Sequence, residues 1–290
     1  MKRQPVKVVR TVADLRKVVV GWRKSGEKVA LIPTMGALHD GHLQLVRTAQ
    51  KRARRTVTSI FVNPAQFAPH EDLARYPRDE AGDLAKLKTV DCDLVWAPGP
   101  AEMYPEGFAT RVVPAGAAEG LETDYRPHFF GGVATVCCKL FTQVGPEFAM
   151  FGEKDYQQLQ VVKQMVADLN LPLKIIGVPT IREKDGLAMS SRNKYLDESQ
   201  RRIAPAIQRA IKRLADECAA LGVALTSARI AKLAEAARAE IAAAGFDTVD
   251  YVEVRDAVTL KPVDGKSGRP MRVLAAAWLG KTRLIDNVAV

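Results

Sequence analysis

The sequence predicts an α/β protein: a doubly wound, Rossmann-like parallel sheet over residues 1–180, then a second, smaller α+β domain over residues 181–290. Three observations lead there. Up to Pro179, short apolar runs of strand length alternate with amphipathic stretches of helical period, the pattern of a parallel sheet covered on both faces. After Pro179, helical stretches rich in Ala, Arg, Lys and Glu come first and alternating strand segments follow. At 290 residues, 47% hydrophobic and 26% charged, the chain can bury a core without staples and has room for two domains.

The elements follow in order. VKVV (6–9) is a short strand, and 11–26 is a helix with Thr11 as N-cap, Asp14 three residues on and Gly26 as stop. KVALIP (28–33) is an apolar strand; 42–53 is a helix with Leu43, Val46, Ala49 and Ala53 on one face. Strand 56–63, helix 79–90 and strand 92–98 continue the alternation, then helix 132–144, strand 147–152, a long helix 153–170 and strand 173–179. Right-handed crossovers make this series a doubly wound sheet. In the second domain, residues 197–244 form two helices broken near LGVALTS, and 248–256, 272–280 and 283–290 are strands.

Composition narrows the function. No apolar run reaches the length of a membrane span, and the basic start MKRQPVKVVRTVADLRK lacks the apolar core of a secretory signal. Cys92, Cys137, Cys138 and Cys218 show no C-x-x-C spacing, so reduced thiols in a cytoplasmic protein are expected. The net charge of +10 suits an anionic substrate or nucleic acid. Its densest run, KRARR (51–55), has no aromatic residues interleaved and reads as a solvated helix end, so no nucleic-acid partner is expected.

The chemistry gathers at strand ends, where doubly wound sheets bind ligands. IPTMGALHDGH (32–42) holds two of only four histidines. Gly36 and Gly41 let the backbone turn close to a ligand, and a helix starting near Gly41 directs N–H groups at an anion. His39 and His42 at that terminus can donate to phosphate oxygens. Two ordinary loop histidines, or a metal pair at i, i+3, are the alternatives for H-x-x-H alone. FGEKDYQQLQ (151–160) repeats the geometry: apolar strand, Gly152, then Lys154 for a phosphate and Asp155 for a ribose hydroxyl. Within REKDGLAMSSRNKYL (182–196), Ser190, Ser191 and Arg192 group two hydroxyls and a guanidinium as a phosphate clamp. Together the three segments describe a nucleotide site.

At these residues the chain resembles the pantothenate synthetase (pantoate–β-alanine ligase) family of the HIGH-type nucleotidyltransferase superfamily. The motifs are IPTMGALHDGHLQLV, IFVNPAQF, RYPR, FGEKDYQQL and DGLAMSSRNKYL, in order from about residue 29 to 196. The resemblance implies an ATP-dependent ligase in pantothenate biosynthesis. Pantoate is adenylated with release of pyrophosphate, and β-alanine then displaces AMP. It implies catalytic roles for His39, His42, Lys154, Ser190, Ser191 and Arg192. It places Met35, Gly36, Gly41, Gly152, Asp155, Val178 and Ile181 with them around ATP, and Asn63, Gln66, Tyr76, Arg126 and Gln158 around pantoate. Mg²⁺ travelling with ATP, with Asp83 as the nearest carboxylate, and a homodimer are implied as well. The chain departs from the family pattern at RPHFFGGV (126–133), where the histidine stands one place early, as His128. It departs again at Gly82, where members often carry an acid. Two rivals remain: a nucleotidylyltransferase that stops at an adenylated product, and an RNA-binding protein.

Overall fold

Nine strands and ten α-helices, counted among the described residues, build the molecule; the computed structural model describes residues 6–68, 71–265 and 268–290. The first stretch runs β1 (Lys7–Val9), α1 (Val12–Lys24), β2 (Val29–Thr34), α2 (Asp40–Gln50) and β3 (Arg55–Ile60). It continues through α3 (Glu80–Thr89), β4 (Leu94–Trp96), α4 (Pro100–Met103), α5 (Glu122–Tyr125), α6 (Phe129–Val144), β5 (Phe148–Gly152), α7 (Tyr156–Asp168) and β6 (Lys174–Val178). All six strands lie parallel in one sheet in the order β1-β4-β3-β2-β5-β6. From β2 the chain steps outward to β3 and β4; β5 then returns to the other side of β2. The winding therefore reverses between β2 and β5, and the carboxyl ends of those two strands frame the crevice such sheets offer to ligands.

The strands are apolar because both sheet faces are covered. Ala30, Ile32, Val95 and Met150 are fully buried, packed with Leu43, Val46 and Ala49 of α2 and Leu87 of α3. The spacing 43, 46, 49 predicted that face. Thr11 caps α1 by accepting from the Asp14 N–H, as expected.

The second stretch comprises α8 (Glu198–Ile203), α9 (Ala206–Leu221), α10 (Ser227–Ala243), β7 (Thr248–Asp256), β8 (Met271–Leu279) and β9 (Thr282–Ala289). β7, β8 and β9 form an antiparallel sheet in that order. Ile207, Ile211, Leu214 and Ile241 pack on Val252, Val273 and Ala275 in its core. The small side chains of LAAAWL let α9 lie close to β8. The buried Asp250 is held by Arg283 at 2.6 Å and by the Trp278 indole N–H.

Two compact units result: one of Met1–Glu153 with Val161–Pro179, the other of Lys154–Gln160 with Thr180–Val290. The first turns after β5 thus group with the second unit.

Three expectations are corrected. The run 197–244 holds three helices because Pro205, which has no N–H to donate, interrupts the first. The long helix 153–170 opens with a 3-10 turn over Glu153–Asp155 before α7 begins. And α2 starts at Asp40, two residues before the expected position, for a reason found at its cap.

Candidate active site

The loop after β2 is built to present two imidazoles. His39 is the N-cap of α2, and its Nδ1 accepts from the Gly41 N–H at 3.2 Å. The His39 N–H donates to His42 Nδ1 at 3.3 Å, closing a capping box in which both side chains are histidines. An Nδ1 that accepts a backbone N–H carries no proton in a neutral ring, so each imidazole holds its proton on Nε2. The rings lie 4.1 Å apart between centroids. The result is a pair of Nε2–H donors at a helix N-terminus, beyond the carboxyl end of β2, where an anion is favoured.

The loop itself is bent, with Gly36 at φ 82° and Ala37 at φ 52°. The Thr34 hydroxyl accepts from the Gly36 N–H and donates to the Ser59 carbonyl at 2.6 Å. Asp83, 1% exposed on α3, accepts from the N–H groups of Ala37 and Leu38, each at 2.8 Å. A side chain at 36 would bring its Cβ within 3.0 Å of Asp83 Oδ2, and the φ is one that glycine tolerates. Asp83, expected as a metal contact, accepts one backbone N–H on each oxygen and so holds the histidine loop.

A second group sits after β3. Asn63 caps the 3-10 turn Pro64–Gln66 and is 1% exposed. Its amide donates to Gln66 Oε1 at 3.1 Å and to the Gly132 carbonyl at 3.2 Å, while the Tyr104 hydroxyl donates to Asn63 Oδ1 at 2.7 Å. Burial pushes the Tyr104 phenol up to about 12, so it stays protonated and keeps donating. The Gln66 amide lies 3.2 Å from Met35 Sδ. Met35, Asn63 and Gln66, named separately from the sequence, are therefore one connected cluster, and Tyr76 packs edge-on to Phe67 beside it. Arg126 stands one step behind: its guanidinium donates to Glu71 at 2.9 and 2.6 Å, to Glu122 at 3.0 Å and to the Gln66 carbonyl at 3.2 Å. It braces Gln66. The shifted His128 lies 3.8 Å from Glu71 in the same network.

In the second unit, Lys154 and Asp155 stand on the turn that opens α7, their charged groups 3.8 Å apart, and Gln158 follows on its first turn. Residues 181–189 form a small hairpin: the Met189 N–H donates to the Ile181 carbonyl and the Glu183 N–H to the Leu187 carbonyl. It delivers Ser190, whose hydroxyl caps the 3-10 turn Ser191–Tyr195 by accepting from the Arg192 N–H. Ser190, Ser191 and Arg192 thus sit together at one end of the hairpin. Gly152 ends β5 and Val178, 3% exposed, ends β6, both in the first unit.

Comparison with known proteins decides the family. A model of the pantoate-beta-alanine ligase family matches residues 7–289. This chain belongs to that family. Pantothenate synthetase 2 of Bradyrhizobium diazoefficiens is 56% identical over 291 residues, covering 100% of each chain. The crystal structure of pantothenate synthetase from Thermus thermophilus is 44% identical with a TM-score of 0.89, covering 98% of this chain and 99% of that one. That of the pantoate-beta-alanine ligase from Francisella tularensis, complexed with beta-gamma ATP and beta-alanine, is 32% identical with a TM-score of 0.80, covering 98% and 97%. The family of ligases named from the motifs is thereby shown, and so is its fold.

Sequence reasoning missed Thr34, Tyr104, Glu71 and the loop contacts of Asp83, none of which leaves a local pattern in the chain. KRARR, by contrast, proves discontinuous: Ala53 is buried, and Arg55 pairs with Glu27 at 2.8 Å and Asp93 at 3.0 Å.

Proposed function

We propose that this protein condenses pantoate with β-alanine, driven by ATP, through a pantoyl-adenylate. One observation carries the reading: in a member of the pantoate-beta-alanine ligase family, the N-terminus of α2 holds two imidazoles locked as Nε2–H donors. A pantoate carboxylate oxygen bonds to the α-phosphorus as the bond to pyrophosphate breaks. Negative charge shifts onto the phosphate oxygens, and donors already in place stabilise it without reorganising. Lys154, Ser190, Ser191 and Arg192 would hold the outer phosphates, Asp155 the ribose, with Met35, Gly36, Gly41, Gly152, Val178 and Ile181 shaping the nucleotide's seat. Gln66 and Gln158 would hold pantoate, with Asn63, Tyr76 and Arg126 supporting. The amine of β-alanine then attacks the acyl carbon, the bond to AMP breaks, and the amine loses its proton. Adenylation makes the leaving group, so positioning carries most of the remaining rate. The nucleotidylyltransferase reading leaves the Asn63–Gln66 cluster without a use.

Among the described residues no group of three or more acidic, histidine or cysteine side chains gathers to hold a metal, and Asp83, 1% exposed, already receives one N–H on each oxygen. Mg²⁺ would arrive on the ATP phosphates, as this ion prefers. A cytoplasmic homodimer with small-molecule substrates completes the proposal, supported by the family resemblance and by four cysteines outside any disulfide. No helix among the described residues is long and apolar enough to cross a membrane.

The test is pyrophosphate release with ATP and Mg²⁺. Pantoate alone should give a stoichiometric burst, and added β-alanine should turn it into steady turnover with AMP. Release without pantoate, or no response to β-alanine, would overturn the reading.

Gly132 offers a sharper check on the pantoate side. A methyl there would stand 2.3 Å from the Ala65 carbonyl oxygen and 2.7 Å from the Gln66 nitrogen, both backbone atoms. Gly132→Ala must therefore displace the turn that carries Gln66, costing about 1–3 kcal/mol of stability. The KM for pantoate should rise while that for β-alanine stays put. Thermal unfolding and steady-state kinetics read both, and an unchanged KM for pantoate would separate Gln66 from the acid.

A further inference from the structure

β9 carries two adjacent polar side chains in its buried middle, Asp286 and Asn287, each 3% exposed. Burying an acid and an amide costs free energy unless each is fully engaged, and here both are engaged by the nucleotide segments of the same unit. Asp286 receives the Arg182 guanidinium on both oxygens, at 2.6 and 2.9 Å. Arg182 stands at the root of the hairpin that delivers Ser190, Ser191 and Arg192, and it also donates to the Gly186 carbonyl at 2.9 Å. Asn287 divides its amide: Oδ1 accepts from Arg272 Nε at 2.6 Å, and Nδ2 donates to the Lys154 carbonyl at 2.8 Å. Arg272 in turn stacks on Tyr156, 3.8 Å from the ring centroid, and the Tyr156 hydroxyl donates to the Ala257 carbonyl at 2.8 Å. The turn bearing Lys154 and the clamp bearing Ser190 are thus tied to neighbouring residues of one strand. This also accounts for Lys154–Gln160 grouping with the second unit.

We propose that Asp286 and Asn287 are positioning residues that set the distance between Lys154 and the Ser190–Arg192 clamp, and through it the binding of the ATP phosphates. The inference rests on the ligase reading. A bidentate guanidinium–carboxylate pair is among the most directional polar contacts a protein has. The position at 287 needs one donor and one acceptor, which an amide supplies and a carboxylate does not.

Asn287→Asp exploits that difference. The carboxylate keeps the acceptor for Arg272, and with it the packing on Tyr156, but loses the donor to the Lys154 carbonyl. Pantoate-dependent pyrophosphate release is measured first in the wild type; its absence there would fail the ligase reading, not this inference. Given release, Asn287→Asp should raise the KM for ATP by about five- to tenfold, the scale of one lost hydrogen bond. The KM for β-alanine should hold, while the Tm should fall, because the Lys154 carbonyl loses its donor and faces a buried carboxylate. A folded variant with wild-type KM for ATP would overturn the role of Asn287. Because single removal of a buried charge can unfold a protein, Asp286 is tested in the double variant Arg182→Met with Asp286→Leu, which removes both charges together. That protein should fold and yet show a raised KM for ATP. The conservative variant Arg182→Lys, which keeps a charged contact to Asp286, should show a smaller rise. Wild-type ATP handling in the folded double variant would overturn the role of Asp286.

Discussion

Replacing His42 by alanine is expected to slow pantoyl-adenylate formation by about 10²–10³-fold, the scale of losing one donor preorganised toward a transition-state oxyanion. The structure adds a complication: His42 Nδ1 is also an acceptor in the capping box of α2. Alanine removes a cap as well as a donor, and a cap is worth about 0.5–2 kcal/mol. Glutamine separates the two. Gln at this position suits the capping box and should restore helix stability, but its rotatable amide is not preorganised as a donor in the way the fixed imidazole Nε2–H is. His42→Gln should unfold like the wild type and remain slow in single-turnover pyrophosphate release. His39→Asn makes the parallel test at the N-cap, where Asn is a strong capping residue. If either variant recovers the adenylation rate along with stability, the histidines are caps and the chemistry lies elsewhere.

Asp83→Ala is expected to have the second large effect. It leaves the buried N–H groups of Ala37 and Leu38 without their acceptor. At about 1–3 kcal/mol for each unsatisfied group, the loss should be about 2–6 kcal/mol, read as a lower denaturant midpoint. The loop it releases has positive φ at Ala37, a conformation that a non-glycine residue keeps only while neighbours enforce it. Adenylation should therefore fall along with stability. Asp83→Asn is the informative companion. An amide can accept one of the two N–H groups, but its NH₂ faces the other donor to donor, so asparagine should recover little. A stable Asp83→Ala enzyme with normal adenylation would show that the loop holds its shape without this carboxylate. The Mg²⁺ dependence of that variant bears on the same point: losing an anchor leaves the metal requirement unchanged, and losing a metal ligand raises it.

Much of this was legible in the residues, and the parts that were not share a physical cause. Strand and helix periods are local, so the alternation through Pro179 and the switch to helices then strands could be read directly. The proposed phosphate site at Gly36, His39 and His42 was legible because a helix start is assembled from consecutive residues. The same is true of Gly152 with Lys154 and of Ser190 with Arg192. The two-helix reading of 197–244 failed on Pro205, whose local effect was outweighed by the helical composition around it. The anchoring contacts of Asp83 were not legible because its partners lie 46 and 45 residues away. Glu71, a partner of Arg126, was likewise out of reach of a local reading at 55 residues back, whereas Glu122 lies one turn away.

The sequence by itself determined the order of the elements, the doubly wound sheet, the family motifs and with them the family, because each is encoded in short-range pattern. Only the tertiary structure decided how those motifs are held. Asp83 secures the histidine loop, Gly132 admits the Asn63–Gln66 turn by having no side chain, and Asn287 reaches the Lys154 carbonyl across 133 residues. Such contacts follow from which strands and helices come to lie together, and a hydrogen bond at that separation leaves no period or spacing in the chain.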